Sequence, residues 1–120
     1  FNEWLSRTVK GVPTVIIGAG DLGELALRQL KHDQRIKRRV IGFMDDDLAK
    51  QGARIHGVMV LGTRDRLRSL LDERQVGEVL IAMEAPPPAL LEFVQHHCEA
   101  AGVQWQLVNR LVGTFHEAVR

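Results

Sequence analysis

Six consecutive residues of this 120-residue chain have the types and spacing of a phosphate-binding turn. They read Gly18-Ala19-Gly20-Asp21-Leu22-Gly23, a G-x-G-x-x-G motif that follows a β-branched apolar run and opens an amphipathic segment. In such a motif the first glycine permits a tight turn, the second lets backbone approach a pyrophosphate, and the third lets a helix pack closely on a strand. The N–H groups at the start of that helix would face the anion. We therefore predict a nucleotide site here, against the alternative of a tight turn that binds nothing.

An acidic run supplies the second part of the predicted site. Asp45 lies 22 residues after Gly23 and ends a second apolar run, where a carboxylate can accept hydrogen bonds from a ribose diol. A carboxylate at this position favours NAD over NADP, because it would repel a 2′-phosphate. Asp46 and Asp47 are predicted to be solvated or helix-capping residues, but a strand register shifted by one residue would give Asp46 the ribose role.

The third part of the predicted site comes from a later apolar run. Ala82, Met83 and Glu84 end that run, and the carboxyl ends of parallel strands share one edge of a sheet, so these residues are expected to face the same crevice. Glu84 is equally well explained as a polar contact or as an exposed loop charge. His56 lies in a loop that can approach the crevice, and the alternative for it is a loop histidine bonded to backbone.

Composition excludes several other kinds of chemistry. The chain has no tyrosine, so it cannot perform the Tyr-x-x-x-Lys reaction of short-chain dehydrogenases and nucleotide-sugar epimerases. Cys98 is the single cysteine, which excludes a disulfide, and its place in an apolar helical stripe predicts a buried thiol and not a nucleophile. His96 and His97 would project about 100° apart on a helix, so no metal site is predicted. The net charge of +1 gives no reason to predict a nucleic-acid partner.

The elements that must position these residues follow from the hydrophobic pattern. Apolar runs predict strands, and apolar stripes at helical spacing predict helices. Strands are predicted at 13–18, 40–44, 58–61, 79–83 and 103–108, helices at 22–30, 67–71 and 89–101, and a terminal helical turn at 115–119. This alternation predicts a single Rossmann-like α/β domain, a doubly wound parallel sheet of about five strands with helices on both faces. The domain is expected over 12–112, with a lead-in at 1–11 and a C-terminal tail at 113–120.

Several segments together resemble a known family. Residues 15–21, 42–47, 55–57, 60–63 and 79–82 are similar to the nucleotide-binding Rossmann domain of bacterial polysaccharide-biosynthesis proteins, the nucleoside-diphosphate-sugar epimerase/dehydratase group. Related domains, described as CoA-binding-like, are fused to polyprenyl-phosphate sugar-phosphate transferases. The resemblance covers about residues 12–110. The sequence departs from the family's usual pattern after Ala82, where Met83-Glu84-Ala85-Pro86-Pro87-Pro88 replaces the common Ile-Pro-Ser.

The resemblance implies a nucleotide bound at Gly18, Gly20, Gly23 and Asp45, with His56 as a further contact. It also implies a cytoplasmic domain beside the membrane, whose partners are the catalytic and membrane domains of a longer parent, a dehydratase, epimerase or sugar transferase. The chain starts at Phe1 and not at Met, as expected of an excised piece, and we predict that it is not an enzyme by itself.

Three hypotheses about function follow, and they differ in ligand. The first is an NAD(H)-binding module, and the second is a regulatory domain that binds a UDP-sugar for a membrane sugar-phosphate transferase. The third is a small NAD-dependent oxidoreductase that acts alone, which the missing tyrosine disfavours. NADP and CoA are further possible ligands. The sequence does not determine whether the chain forms a homodimer.

Overall fold

The computed structural model of the protein describes residues 11–33, 35–109 and 114–117. For residues 109 and 114–117 it describes the backbone only. The predicted lead-in at 1–11 lies outside the described residues except for Gly11. The elements in chain order are β1 (Val12–Ile17), α1 (Asp21–His32), β2 (Arg38–Met44), β3 (Arg54–Ile55), β4 (Val58–Gly62), α2 (Leu67–Glu73), β5 (Glu78–Ile81), α3 (Pro88–Ala101), β6 (Gln104–Asn109) and β7 (Thr114–Glu117). Single 3-10 turns cover Leu48–Lys50 and Arg64–Arg66.

The strands of the described residues form one sheet in the order β3-β4-β2-β1-β5-β6-β7. The five strands β4, β2, β1, β5 and β6 run parallel, whereas β3 pairs antiparallel with β4 and β7 pairs antiparallel with β6. The chain builds outward from β1 to β2 and β4, then returns to the other side of β1 for β5 and β6. The topological switch point therefore lies between β1 and β5, where open α/β sheets bind ligands outside the carboxyl ends of the strands. The predicted doubly wound fold is confirmed.

The two faces of the sheet carry separate hydrophobic clusters. Successive strand side chains point to opposite faces, so Val15 packs in one cluster and Ile16 in the other. Helices α2 and α3 cover the Val15 face through Leu67, Leu70 and Val94, among others. Helix α1 covers the Ile16 face with Leu22, Ala26, Leu27 and Leu30. Coverage on both faces explains why the strands read as continuous apolar runs without alternation.

The structure corrects the prediction for the C-terminal residues. The helical turn predicted at 115–119 was wrong, because Thr114–Glu117 forms β7 and pairs with β6. Five residues of weak periodicity do not form a stable helix, and the free edge of β6 supplies hydrogen-bond partners for a strand. Helix α3 begins at Pro88 and ends at Ala101, and the next residue, Gly102, has a φ of 70°, as is usual for a glycine that terminates a helix. No helix in the described part of the chain is long and apolar enough to cross a membrane.

A buried ion pair lies at the amino edge of the sheet, the edge opposite the switch point. Arg38 begins β2 and Glu78 begins β5, and their side chains are 2% and 7% exposed. The Arg38 Nε–H donates to Glu78 Oε1 at 2.5 Å, and the Gln106 Nε2–H donates to Glu78 Oε2 at 2.9 Å. Both charges are therefore paired where water is largely excluded, and they join strands on either side of β1.

Candidate functional site

Two glycines of the turn after β1 are required by the fold itself. Gly18 has a φ of 110°, and a Cβ placed on it would lie 2.6 Å from the carbonyl oxygen of Ala82. A Cβ on Gly23, in the first turn of α1, would lie only 1.9 Å from the carbonyl oxygen of Gly18. No side chain fits at either distance, so packing between β1, α1 and the end of β5 requires both residues whether or not a ligand binds.

Gly20, the middle glycine, is different because nothing in the fold requires it. Its φ of −96° is open to any residue, and no neighbouring heavy atom among the described residues lies within 4 Å of a Cβ placed there. Gly20 is exposed and occupies the N-cap of α1, where no side chain caps the first turn. The missing side chain therefore leaves open space against the N–H groups of a 12-residue helix, as close approach of an anion requires.

Asp45 lies beside this turn, and its carboxylate already accepts backbone hydrogen bonds. Oδ2 accepts from the Ala19 N–H at 2.8 Å, and Oδ1 accepts from the Asp47 N–H at 2.8 Å. The Lys50 Nζ lies 3.7 Å from the same Oδ2. The side chain is 17% exposed. Asp45 thus holds the glycine-rich turn against the end of β2.

Asp46, the next residue, pairs with an arginine from the neighbouring strand end. The backbone N–H of Arg64 donates to Asp46 Oδ1 at 2.8 Å, and its Nε–H donates to Oδ2 at 2.7 Å. Partial burial alone would raise the pKa of the Asp46 carboxyl, but these hydrogen bonds and the positive charge of Arg64 bring the pKa below its usual value. The pair forms because β4 lies next to β2 in the sheet, so both carboxyl ends reach the same edge.

A pocket opens at this edge, at the switch point. Its volume is about 390 Å³, including space open to solvent, and it is lined by Ile17, Gly18, Met44, Asp45, Asp46, Arg64, Met83 and Leu90. The lining combines apolar side chains from the ends of β1 and β2 and from the β5–α3 segment with three charged groups on one side. An apolar cavity with a few placed polar groups is the usual form of a small-ligand site.

The structure brings some of the predicted site residues together and separates others. Gly18, Asp45, Asp46 and Met83 line the pocket. Ala82 lies one residue deeper, where its N–H donates to the Ile17 carbonyl at 2.8 Å. Two residues of the glycine motif have no side chain in the pocket lining, since Leu22 is buried in the core and Asp21 is exposed at the start of α1.

His56 does not line the pocket but contacts the first helix. It lies in the turn between β3 and β4 with a φ of 49°, and its Nε2 is 2.7 Å from Glu24 Oε1 in α1. The hydrogen bond from His56 is the main cause that lowers the pKa of the exposed Glu24 carboxyl. The contact joins the β3–β4 hairpin to the helix that carries the glycine motif.

Arg64 and Leu90 line the pocket and were not predicted from the sequence. Arg64 follows the strand predicted at 58–61, and the rule that parallel strands end at one edge could have identified it. Leu90 is the third residue of α3 and points back toward the sheet. No group of three or more His, Cys, Asp or Glu side chains in the described residues could hold a metal ion.

Similarity to known proteins agrees with the fold. The chain is 27% identical over 104 residues to the Probable polysaccharide biosynthesis protein EpsC of Bacillus subtilis (strain 168), covering 83% of this chain but only 17% of that protein. Among solved structures it resembles UDP-D-quinovosamine 4-dehydrogenase from Vibrio fischeri, with a TM-score of 0.75, 19% identity, and coverage of 91% of this chain and 94% of that one.

A further solved structure is the Rex-family repressor RSP. In complex with β-NADH it matches with a TM-score of 0.67 at 18% identity, over 89% of this chain and 50% of that one. The same repressor has been solved with β-NAD+ and operator DNA. A family model described as a CoA-binding domain matches residues 2–108. The chain therefore belongs to the CoA-binding domain family, with a Rossmann-like fold.

Proposed function

We propose that this domain binds a dinucleotide of the NAD(H) type at the switch point, with the pyrophosphate against the glycine-rich turn. The observation that carries the proposal is Gly20, because its missing side chain serves no contact within the described fold and opens the N-terminus of α1. A turn that bound nothing would require glycine at 18 and 23 but would tolerate a side chain at 20. A pyrophosphate gives a physical reason for Gly20, the middle glycine.

The pocket beside the turn suits the base of the same ligand. Ile17, Met44, Met83 and Leu90 offer apolar surface on which a flat heteroaromatic ring can pack. The charged groups at the end of β2 lie on the side where the ribose of a dinucleotide is expected. The proposed pose therefore places base, ribose and pyrophosphate in sequence from the pocket to the helix N-terminus.

We place this binding module in a larger bacterial enzyme of cell-surface polysaccharide biosynthesis. The similarity to EpsC supports this context, and the chain spans about a sixth of that protein, since it covers 17% of it. Without a tyrosine, the chain lacks the acid–base residue of nucleotide-sugar epimerase chemistry, so the reaction is assigned to another domain of the parent. On this proposal the parent is anchored in the membrane as a dehydratase, epimerase or sugar transferase, and the domain lies on its cytoplasmic side.

A nucleic-acid partner is not part of the proposal. The operator complex belongs to the Rex-family repressor, and the matching region covers 48% of that protein. This chain has a net charge of only +1, which gives little electrostatic attraction to a phosphate backbone.

The second candidate ligand is a UDP-sugar, bound as a regulatory signal for a membrane sugar-phosphate transferase. It is favoured by the similarity to a protein named as a UDP-D-quinovosamine 4-dehydrogenase. A UDP-sugar also contains a base, a ribose and a pyrophosphate, so the same turn and pocket would hold it. The two candidates differ in the group beyond the pyrophosphate.

Calorimetric and thermal-shift titrations with NADH and with UDP-N-acetylglucosamine test the proposal. A ligand present at 100 times its dissociation constant should stabilise the domain by about 2.7 kcal/mol. We expect NADH to bind the wild-type chain, and Gly20→Ala to weaken that binding without unfolding the protein. Ser69→Ala, a half-buried position of α2 outside the pocket lining, is the control and should bind NADH as the wild type does. Stabilisation by the UDP-sugar alone would establish the second candidate, and binding of neither ligand would refute both.

A further inference from the structure

Two carboxylates and two cations meet at the end of β2, where the ribose is expected. Lys50 Nζ lies 3.7 Å from Asp45 Oδ2, and Arg64 Nε lies 2.7 Å from Asp46 Oδ2. The formal charges of these four side chains cancel, and the third carboxylate of the run, Asp47, accepts the Ala49 N–H at 2.9 Å as the cap of the turn at Leu48–Lys50. The reason for expecting a 2′-phosphate to be repelled, a lone carboxylate at Asp45, is therefore absent from the observed arrangement.

Asp45 acts as a positioning residue in this arrangement. Each of its carboxylate oxygens accepts a backbone N–H, from Ala19 and from Asp47, both at 2.8 Å. These bonds fix the glycine-rich turn relative to the end of β2, which sets where a pyrophosphate would lie. A ribose diol would have to compete with them for the same oxygens.

Arg64 is held in place but keeps donor capacity toward the pocket. Its backbone N–H and Nε–H are taken by Asp46, while its terminal amino groups make no hydrogen bond within the described residues. The side chain lines the pocket and is 31% exposed. An anchored, planar guanidinium with free N–H groups is well suited to bind a phosphate.

We propose that this corner of the site binds a phosphate on the adenosine ribose, with Arg64 as the specificity-determining residue and Lys50 as a second cation. The inference rests on the proposed nucleotide-binding function. Two ligand sources carry this chemistry, the 2′-phosphate of NADPH and the 3′-phosphate of CoA. In both, the rest of the nucleotide would occupy the turn and the pocket as described above.

Two matched ligand pairs test the inference on the wild-type chain. NADH and NADPH differ by a 2′-phosphate, and dephospho-CoA and CoA differ by a 3′-phosphate, so the pair that responds identifies the source. In calorimetric titrations we expect the phosphorylated member of one pair to bind more tightly than its partner, and equal affinity within both pairs would overturn the inference. The advantage of the phosphorylated member should shrink as salt is raised, because a partly exposed ion pair is screened.

Variants of the ion pair assign the effect to Arg64. Arg64→Gln should weaken the phosphorylated member by about tenfold, the loss expected for one charge-assisted hydrogen bond, and should change the unphosphorylated member little. Asp46→Asn should tighten the phosphorylated member, because it frees the charge of Arg64. The control is Arg68→Gln, which breaks the exposed Arg68–Asp72 pair on α2 outside the pocket lining and should change nothing.

The possible failures are distinguishable from each other. If NADH and dephospho-CoA bind more tightly than their phosphorylated partners, the inference is overturned while the proposed function stands. An Asp46→Asn variant that loses affinity for every ligand equally would overturn it too, since that result assigns Asp46 to the ribose diol. If none of the four ligands binds, the proposed function and the inference fall together.

Discussion

Alanine at Gly23 and at Gly20 should separate the needs of the fold from those of the ligand. In Gly23→Ala the new Cβ would lie 1.9 Å from the Gly18 carbonyl oxygen, whereas ordinary contact begins at 3.4 Å. The helix and the turn must therefore move apart by about 1.5 Å, the difference between these distances. Both groups are backbone and cannot rotate away, so we expect a loss near the upper end of overpacking costs, about 3 kcal/mol.

Gly20→Ala should behave in the opposite way. The new Cβ meets no described neighbour within 4 Å, and the φ of −96° suits alanine. Removing a glycine also reduces the entropy of the unfolded chain, so the free energy of unfolding should be unchanged or rise by about 0.5 kcal/mol. Binding of the dinucleotide should nevertheless weaken at least tenfold, because the Cβ occupies the space through which the pyrophosphate reaches α1.

Thermal unfolding and titration of the wild type, Gly20→Ala and Gly23→Ala with NADH measure both effects. In a domain of this size 1 kcal/mol corresponds to roughly 4 °C in Tm, so Gly23→Ala should unfold about 12 °C below the wild type. Gly20→Ala should unfold within about 2 °C of the wild type. Two results would contradict this separation: a loss of stability in Gly20→Ala as large as that in Gly23→Ala, or binding of NADH to Gly20→Ala with wild-type affinity. Either result would make the motif a structural turn.

Three further predictions concern residues away from the pocket. Glu78→Gln removes one of the two carboxylates that pair with buried Arg38, the other being Asp33 at 3.6 Å, and should lower the free energy of unfolding by about 2 kcal/mol in urea denaturation; an unchanged midpoint would contradict this. Burial raises the pKa of the Cys98 thiol to about 12. An aromatic disulfide reagent at pH 8 should therefore label Cys98 only as fast as the chain unfolds, and rapid labelling of the folded protein would disprove its burial. Burial, and after it the neighbouring positive charges, lowers the pKa of His97 in the folded state. Because the unfolded chain then takes up the proton at a higher pH than the folded chain, the free energy of unfolding should fall as the pH drops through 6.5. His97→Phe should flatten the stability profile between pH 7 and pH 5, and His32→Phe, at an exposed position of α1, is its control.

Much of the fold was predictable because its signals are local. Buried parallel strands read as apolar runs, and the helices between them carry apolar stripes, so the alternation alone predicted five parallel strands and two covered faces. The glycine motif predicted the turn between β1 and α1 equally well, because its spacing reflects one local turn of the backbone. The strand at Thr114–Glu117 was missed because its stability comes from β6, a partner that no local pattern reveals.

In the candidate site, too, local features could be predicted and contacts between distant residues could not. By itself, the sequence determined that Gly18, Gly20 and Gly23 open a helix and that an acidic run ends the second strand. Three facts come from tertiary packing: Asp45 accepts the Ala19 N–H, Asp46 pairs with Arg64, and Gly20 is the one motif glycine with open space around it. These contacts join residues 18 to 26 positions apart, and they depend on which strands are neighbours and where each strand ends. Strand order is set by the packing of the whole domain, so a local reading of residue types cannot supply it.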